Sequence, residues 1–444
     1  MKVSNYILES PKKIYKFHKK GNFLKIIWII IMSCIILGGI FITFFLDDKA
    51  IQNFIQKYFG NIQKSFKDNN SVWLLLLTIL NSKIAFFILF IFGYNYWTIY
   101  KSTIFLFGFI FSSFFTSLAQ IIFPQNYYHS QENNINISFL KDDICLLTGE
   151  LTFPCTISVL SCYIYPTFIS FVFYRKDFHI LIRFFFSLFS YVIAIGLNIL
   201  LIAVNIYSLK EIVFGMTIGI SVHIIVSHII QFRFNSSKNF LNLITTNIIF
   251  YIVVILGLFF TFIFFFIMRY LQGKISEIEN NYENKCPSYK YKDFLWESFI
   301  NSCVIILILI IITLIKYEYI YVFHGNNDEY NRAFFNLQNL SESMEVNEKV
   351  IDSLLTDIEE QNKQWNQTNC FSYIMRIIAF VTFLVLLYLV DYLFDTEIEE
   401  NNSKVDIFYK CSIIYDGIIK DILLIIFCYY IGKKIVMKCG LGNS

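Results

Sequence analysis

Long apolar segments dominate the sequence and constrain its fold more than any other feature. The chain is 56% hydrophobic and only 16% charged. Roughly 20 consecutive apolar residues can cross a bilayer as a helix, which satisfies its own backbone groups in lipid. The sequence therefore predicts an all-α, polytopic integral membrane protein with about ten transmembrane helices. The predicted segments are 23–45, 74–97, 102–124, 153–174, 184–205, 212–231, 242–268, 298–316, 372–393 and 413–432.

Lysine and arginine near the segment ends predict the orientation of the chain. Cytosolic loops carry the excess of these residues. Basic clusters precede the first segment and follow the fourth, sixth and tenth segments; the first cluster is Lys12, Lys13, Lys16, Lys19 and Lys20. With ten spans all of these groups fall on one side, so both termini are predicted to be cytosolic. The loop 125–152 and the acidic stretch 395–406 then face the lumen or the exterior.

One sizeable cytosolic segment, 316–371, is predicted between the eighth and ninth spans. Apolar residues recur at helical spacing over 341–360, with acidic residues between them. This pattern predicts an amphipathic helix, which either packs on the bundle or membrane surface or docks a protein partner. The net charge of +3 is small, and the basic residues do not cluster on a soluble module. We therefore predict no nucleic-acid partner.

The cysteines do not have the spacing of a metal site. They form no Cys-x-x-Cys pair and no His/Cys ligand pattern, so we predict neither a metal nor another cofactor. Cys145 and Cys286 fall in loops predicted on the same side, which permits a disulfide between them. The sequons at Asn136 and Asn401 lie on that side as well, which permits glycosylation.

Two short runs resemble motifs of a membrane phosphatase family. The run 149–156 reads Gly-Glu-Leu-Thr-Phe-Pro-Cys-Thr, and the run 208–221 begins Ser-Leu-Lys-Glu-Ile-Val-Phe-Gly. In their pattern of residues they resemble the second and third motifs of the type-2 phosphatidic acid phosphatase superfamily, and more narrowly of its sphingosine-1-phosphate phosphatase and glucose-6-phosphatase branches. The order of elements from about 53 to 231 resembles this family too. The resemblance implies a six-helix core, a lipid phosphate ligand and a location in the endoplasmic reticulum or another endomembrane.

The catalytic positions implied by this resemblance carry residues of other types. The family's reaction needs a histidine nucleophile, a second histidine as leaving-group acid, an orienting aspartate and cations that hold the phosphate. Here Ile157 stands at the acid position, Thr217 at the nucleophile position and Ser221 at the aspartate position. The resemblance thus implies a preserved fold around a degenerate site, as in a pseudoenzyme. The matched positions are Thr116, Phe123 and Pro124 in the first motif, Pro154, Cys155 and Ile157 in the second, and Glu211, Thr217 and Ser221 in the third.

Few other residues offer chemistry near these motifs. Cys155 needs a nearby cation or base to become a nucleophile, and the sequence around it supplies none. His129 and Lys210 are the candidate ligand-binding residues, although a solvated loop position is the simpler interpretation of His129. His223 and His228 lie about 140° apart around a helix, so each is interpreted as a hydrogen-bonded histidine of the bundle.

Charged residues inside predicted spans are costly and mark candidate functional positions. They are Lys83 in the second segment and Asp416, Lys420 and Asp421 at or inside the tenth. Asp416 and Lys420 are four residues apart and can pair along one helix face, where Asp391 can join them. Two interpretations stay open: neutralised charges near a helix end, or a polar path for an ion or small solute.

These features predict a non-catalytic, lipid-binding or scaffolding membrane protein of the lipid phosphate phosphatase type. The first alternative is an active phosphatase with a shifted motif register, which would be a phosphoric monoester hydrolase acting on lipid or sugar phosphates. The second alternative is a small-solute or ion transporter. The predicted parts are the basic N-terminus and first helix (1–45), the phosphatase-like core (46–232), two further helices (233–315), the acidic cytosolic segment (316–371) and the last two helices with a basic tail (372–444), so that a six-helix core carries a four-helix C-terminal extension.

Overall fold

The computed structural model of the chain describes a set of packed helices. Within the described residues the chain is helical and contains no β-strand, which confirms the predicted all-α class. The described residues are 30, 33–45, 57–58, 85–86, 88–90, 99–124, 153–173, 180–204, 207–230, 248–271, 293–317, 370–400 and 405–431.

The main helices coincide with predicted apolar segments. Turns of 3-10 or π-helix interrupt or extend three of these helical regions. A π-helical turn follows α5 at Ile225–Ile230, a 3-10 turn at Cys303–Ile305 joins α7 to α8, and π-helical turns at Tyr415–Ile419 and Phe427–Ile431 flank α11. The helices are α1 (Ser33–Phe45), α2 (Ile99–Ile122), α3 (Thr156–Phe173), α4 (Ile180–Val204), α5 (Leu209–Ile224), α6 (Ile248–Tyr270), α7 (Phe294–Ser302), α8 (Ile306–Tyr317), α9 (Cys370–Glu400), α10 (Val405–Ile414) and α11 (Lys420–Ile426).

The helices in the last two predicted segments extend beyond the apolar stretches from which they were predicted. α9 continues through the acidic residues after 393 to Glu400, and α10 begins at Val405 rather than near 413. Glutamate is a good helix former, so a helix continues past the point where the apolar stretch ends. Part of the acidic stretch 395–406 is therefore helical.

Four helices among the described residues are long and apolar enough to cross a membrane: Ser102–Ile122, Leu209–Ser227, Phe250–Tyr270 and Phe294–Leu314. Shorter apolar helices lie within α1, α3, α4 and α9. α6 is apolar on all sides and exposes many large side chains, which suits a lipid environment and indicates an integral membrane protein. Insertion, orientation and the ten-span count stay predictions. The exposed side chains of α6 include Ile252, Val253, Ile255, Phe259, Phe260, Phe262 and Phe266.

One hydrophobic core joins the N-terminal and C-terminal helices. Tyr163 of α3 is fully buried in it, and its hydroxyl donates to the Phe105 carbonyl of α2 at 2.6 Å. Phe380 of α9 and Leu424 of α11 belong to the same cluster. The C-terminal helices therefore do not form a separate bundle: α6, α7 and α8 contact α2, and α10 and α11 contact α7 and α8 in turn. Core members from other helices include Ile110, Leu160, Val222, Val254, Val304 and Ile308.

Candidate functional site

The second and third motif regions meet where α3 begins against the first turn of α5. Pro154 and Cys155 are buried and directly precede α3, and Cys155 has no exposed surface. The backbone N–H of Cys155 donates to the carbonyl oxygen of Glu211 at 3.2 Å. A main-chain hydrogen bond thus joins the two motif regions.

Glu211, at the position where the resemblance implies a phosphate-binding arginine, caps its own helix. Its carboxylate accepts from the Ser208 N–H at 2.6 Å, and the Glu211 N–H donates to the Ser208 hydroxyl at 3.2 Å. This reciprocal pair is a capping box, which satisfies two backbone donors at the start of α5. Glu211 is 2% exposed, whereas its neighbour Lys210 is partly exposed. A carboxylate with this role would repel a phosphate rather than bind it.

Two glycines bring α5 against α3. A Cβ at Gly215 would lie 2.7 Å from the Cys155 carbonyl oxygen and 2.9 Å from Ser158 Cβ. A Cβ at Gly219 would overlap the Val159 carbonyl oxygen. The space between these parts of the second and third motifs is therefore filled by the helices themselves.

Thr217 and Ser221, the positions matched to the nucleophile and the orienting aspartate, lie on a side of α5 away from the two glycines. Thr217 lies two residues beyond Gly215, about 200° around α5, and its methyl group packs against Gly39 of α1. The Thr217 hydroxyl donates to the Phe214 carbonyl at 2.7 Å, and the Ser221 hydroxyl donates to the Thr217 carbonyl at 2.6 Å. Both hydroxyls therefore bond within their own helix.

Ile157, at the position of the acid, packs elsewhere. It contacts an apolar cluster that includes Leu201 and Ile202 of α4 and Ile212 of α5. Ile157 thus packs where α3, α4 and α5 meet, whereas Thr217 packs against α1. The positions that would hold the two reacting histidines serve different helix contacts.

The first motif region reaches the same end of the bundle. Thr116 is buried and donates to the Ser112 carbonyl at 2.7 Å. Near the end of α2, the Gln120 amide donates to the Thr156 hydroxyl at 3.3 Å, which ties α2 to the start of α3. Phe123 and Pro124 follow directly after α2. The structure therefore brings all three motif regions together at this end.

Aromatic rings fill that meeting point. Phe123 from the first motif region lies 6.0 Å from Phe153 of the second, and Phe153 stacks on Phe214 of the third at 5.0 Å between ring centroids. Phe44 of α1 completes this aromatic cluster at 5.6 Å from Phe214. Neither Phe44 nor Phe214 was identified from the sequence. The resemblance draws attention to the polar positions of the motifs. The contacts between the motif regions are instead made by apolar residues beside those positions.

A second polar position lies deeper in the same helices. His223 of α5 is buried, and its Nδ1 lies 2.9 Å from the Thr167 hydroxyl and 3.0 Å from the Ser227 hydroxyl. This is the hydrogen-bonded bundle histidine expected from the sequence. The described residues hold no group of three or more His, Cys, Asp or Glu side chains suited to a metal ion.

Two charges of the tenth segment form an ion pair of which one member is buried. The Lys420 ammonium contacts the Asp416 carboxylate, and it lies 4.2 Å from the centroid of the Tyr388 ring of α9. The Lys420 side chain is 10% exposed and that of Asp416 is 54% exposed. Asp421 is half-buried beside them. The predicted pairing of Asp416 with Lys420 therefore occurs, with an aromatic ring as the third member.

Several predicted features lie outside the described residues. They are Lys83, His129, the Cys145–Cys286 disulfide, the sequons at Asn136 and Asn401, the helix 341–360, and the side chains of His228 and Asp391.

A comparison of the chain with family models, curated proteins and solved structures finds no match.

Proposed function

We propose that the protein is a non-catalytic integral membrane protein of the lipid phosphate phosphatase type that binds lipid or serves as a scaffold. The observation that carries this proposal is the aromatic cluster of Phe44, Phe123, Phe153 and Phe214. It occupies the end of the bundle where the three motif regions meet, which is where the resemblance implies a phosphate site.

The surroundings of this cluster do not support phosphoryl transfer. Cys155 has no exposed surface, so a substrate cannot reach its thiol without opening the α3–α5 contact. Glu211 offers negative charge where the reaction needs a cation. Loss of one transition-state donor costs about 3–4 kcal/mol, and loss of both the nucleophile and the acid removes the reaction path.

Two members of the cluster favour a lipid ligand. Phe44 is 51% exposed and Phe123 is 41% exposed, so part of the cluster forms an open apolar surface at the ends of α1 and α2. Aromatic rings at helix ends suit the boundary between lipid chains and headgroups. The same surface suits an apolar face of a protein partner. The proposal therefore includes the scaffold role.

Phosphate release by the purified protein tests the absence of catalysis. We expect no release from sphingosine phosphate, phosphatidate or a sugar phosphate above that of vesicles without protein, because neither a histidine nor an arginine occupies the matched positions. Cys155→Ala and His129→Ala variants should be indistinguishable from the unchanged protein. Release that either substitution abolishes would contradict the proposal and support an active site of different register.

Transport of an ion or small solute is the second candidate function. It is favoured by the position of Lys420, a cation buried among α8, α9 and α11 in a chain with four helices apolar enough to span a membrane. Ionisable groups at such depth commonly mark ion or proton pathways. Under this function, proteoliposomes that contain the protein should show a flux that empty liposomes lack.

A further inference from the structure

Basic residues occur at one level near the end of the bundle that lies opposite the motif regions. The motif end is the end where the Phe123 ring lies 6.0 Å from that of Phe153, and the opposite end is the basic end. The helices α2, α4, α8 and α9 each place one lysine or arginine at the basic end. These residues are Lys101, Arg183, Lys316 and Arg376.

The level of the first and third of these residues follows from a contact at the motif end. Ile121, near the end of α2, packs with Leu295 near the start of α7. Along α2, Lys101 lies about 30 Å from Ile121, and along α7 and α8, Lys316 lies about 32 Å from Leu295. Because α2 runs towards this contact and α7 runs away from it, both residues lie at the opposite end of the bundle.

A contact of α4 with the start of α3 gives the level of Arg183. Leu201 of α4 packs in the apolar cluster that contains Cys155 at the motif end. Along α4, Arg183 lies about 27 Å before Leu201. Arg183 is therefore at the basic end as well.

The level of Arg376 follows from two contacts of the C-terminal helices. A Cβ at Gly417 would lie 2.9 Å from Ile300 Cγ2, so Gly417 is level with Ile300 of α7. Phe427 lies about 15 Å further along its helix, and its ring centroid is 6.3 Å from that of Phe380 of α9. Arg376 is one turn beyond Phe380 and thus about 30 Å from the motif end.

Tyrosines mark the same level on five segments of the bundle. Tyrosine is enriched at the boundary between the lipid chains and the headgroups. The two ends of the bundle are about 30 Å apart, which is the thickness of the hydrocarbon core of a bilayer. The tyrosines are Tyr100 of α2, Tyr251 of α6, Tyr317 of α8, Tyr373 of α9 and Tyr430 of the π-turn after α11.

The basic end differs from the motif end in its charge. The motif end carries the acidic residues Glu211, Asp293 and Glu297. The described helix segments at the basic end contain neither aspartate nor glutamate, so these segments supply no carboxylate to the four basic residues. The segments are 99–104, 168–173, 180–185, 225–230, 248–253, 312–317, 370–378 and 427–431.

We propose that the basic end binds the anionic headgroups of phospholipids in the leaflet that it faces. Lysine and arginine near helix ends reach the headgroup level along their apolar stems. Both bind phosphate oxygens with charge-assisted hydrogen bonds, and arginine does so with two parallel bonds. The four residues lie inside helices at the level of the tyrosines, where the headgroups of the surrounding lipids are the available anions. The inference goes beyond the proposed function, because it concerns the end opposite the aromatic cluster.

Spin-labelled lipids test this proposal on the full chain in phosphatidylcholine vesicles. Electron paramagnetic resonance separates lipid at the protein surface from bulk lipid. Labelled phosphatidylserine should associate up to about fivefold more strongly than labelled phosphatidylcholine, the gain typical of one cation near an anionic surface. The preference should fall in Arg376→Gln and disappear in Lys101→Gln/Arg183→Gln/Lys316→Gln/Arg376→Gln. Lys410→Gln is the matched control and should keep the preference, since it neutralises a cation of α10 near the motif end.

Two further measurements on the unchanged protein do not depend on the folding of a variant. Sodium chloride at about 0.5 M should weaken the preference for phosphatidylserine, because salt screens exposed charges. Inorganic phosphate at the same ionic strength should weaken it no further. A preference that salt leaves unchanged would overturn the proposal, and so would a larger effect of phosphate, which would indicate a site for the free ion.

Three results with the lipids and variants would also contradict the proposal. The first is equal association of the two labelled lipids with the unchanged protein. The second is a preference that persists in the fourfold variant, which would place the anionic lipid elsewhere. The third is a preference that appears only after the acidic residues of segment 341–360 are replaced by glutamine, which would mean that this segment occupies the basic end. Equal thermal unfolding midpoints of the variants and the unchanged protein show that the fold is intact.

Discussion

Replacement of Gly219 by alanine should destabilise the folded protein by about 1–3 kcal/mol, the cost typical of overpacking a well-packed core. The added Cβ would overlap the Val159 carbonyl oxygen and lie 2.9 Å from Cys162 Cβ. The first of these contacts is with the backbone of a helix, which cannot rotate away as a side chain can. Thermal unfolding in detergent or nanodiscs should therefore show a lower midpoint.

Gly196→Ala is the matched control for this substitution. Gly196 also lies inside a helix, α4, but apart from its own helix backbone no atom of the described residues lies within 4 Å of a Cβ placed there. Both substitutions gain the same helix propensity, about 1 kcal/mol, so the difference between them isolates the contact of α5 with α3. A Gly219→Ala protein as stable as Gly196→Ala would contradict the close packing of these helices.

Removal of the Lys420 ammonium in Lys420→Met should cost about 1–2 kcal/mol, the loss of a partly exposed ion pair together with a cation–π contact. The substitution removes the cation that contacts the half-exposed Asp416 carboxylate, and it removes the contact with the Tyr388 ring. Denaturant or thermal unfolding of the purified protein measures the loss.

The double variant Lys420→Met/Asp416→Leu should recover most of that stability. Neutral apolar residues of similar volume leave no unpaired charge beside the Tyr388 ring and often replace an ion pair at little cost. A double variant as unstable as Lys420→Met alone would show that the two side chains are not coupled.

Helix positions follow from the sequence because apolar length determines them, whereas the helix ends do not. Glu297 shows the consequence. The predicted span began at residue 298, after the charge, but the structural helix begins at Phe294 with Asp293 as its cap. A charged residue one turn inside a span was therefore placed outside it, and its contact with Tyr409 joins residues 112 positions apart.

The motif regions show which part of a site a sequence predicts. Their meeting at one end of the bundle agrees with the element order, but the groups that fill the meeting point are the neighbouring phenylalanines. Gly215 and Gly219, four residues apart, carried a usable signal, because small residues at this spacing let membrane helices approach closely. The four rings come from four separate segments, and no local pattern predicts such a contact.

The accessibility of Cys155 tests most directly the claim that α3 and α5, which carry the second and third motif regions, form a closed contact. In a variant that keeps Cys155 as its single cysteine, a small membrane-permeant maleimide should label no protein during the time in which Cys411, an exposed thiol, is fully labelled in its own single-cysteine variant. Denaturation should make both thiols equally reactive. Labelling of Cys155 in the folded protein as fast as that of Cys411 would mean an open pocket between α3 and α5 and would contradict the account.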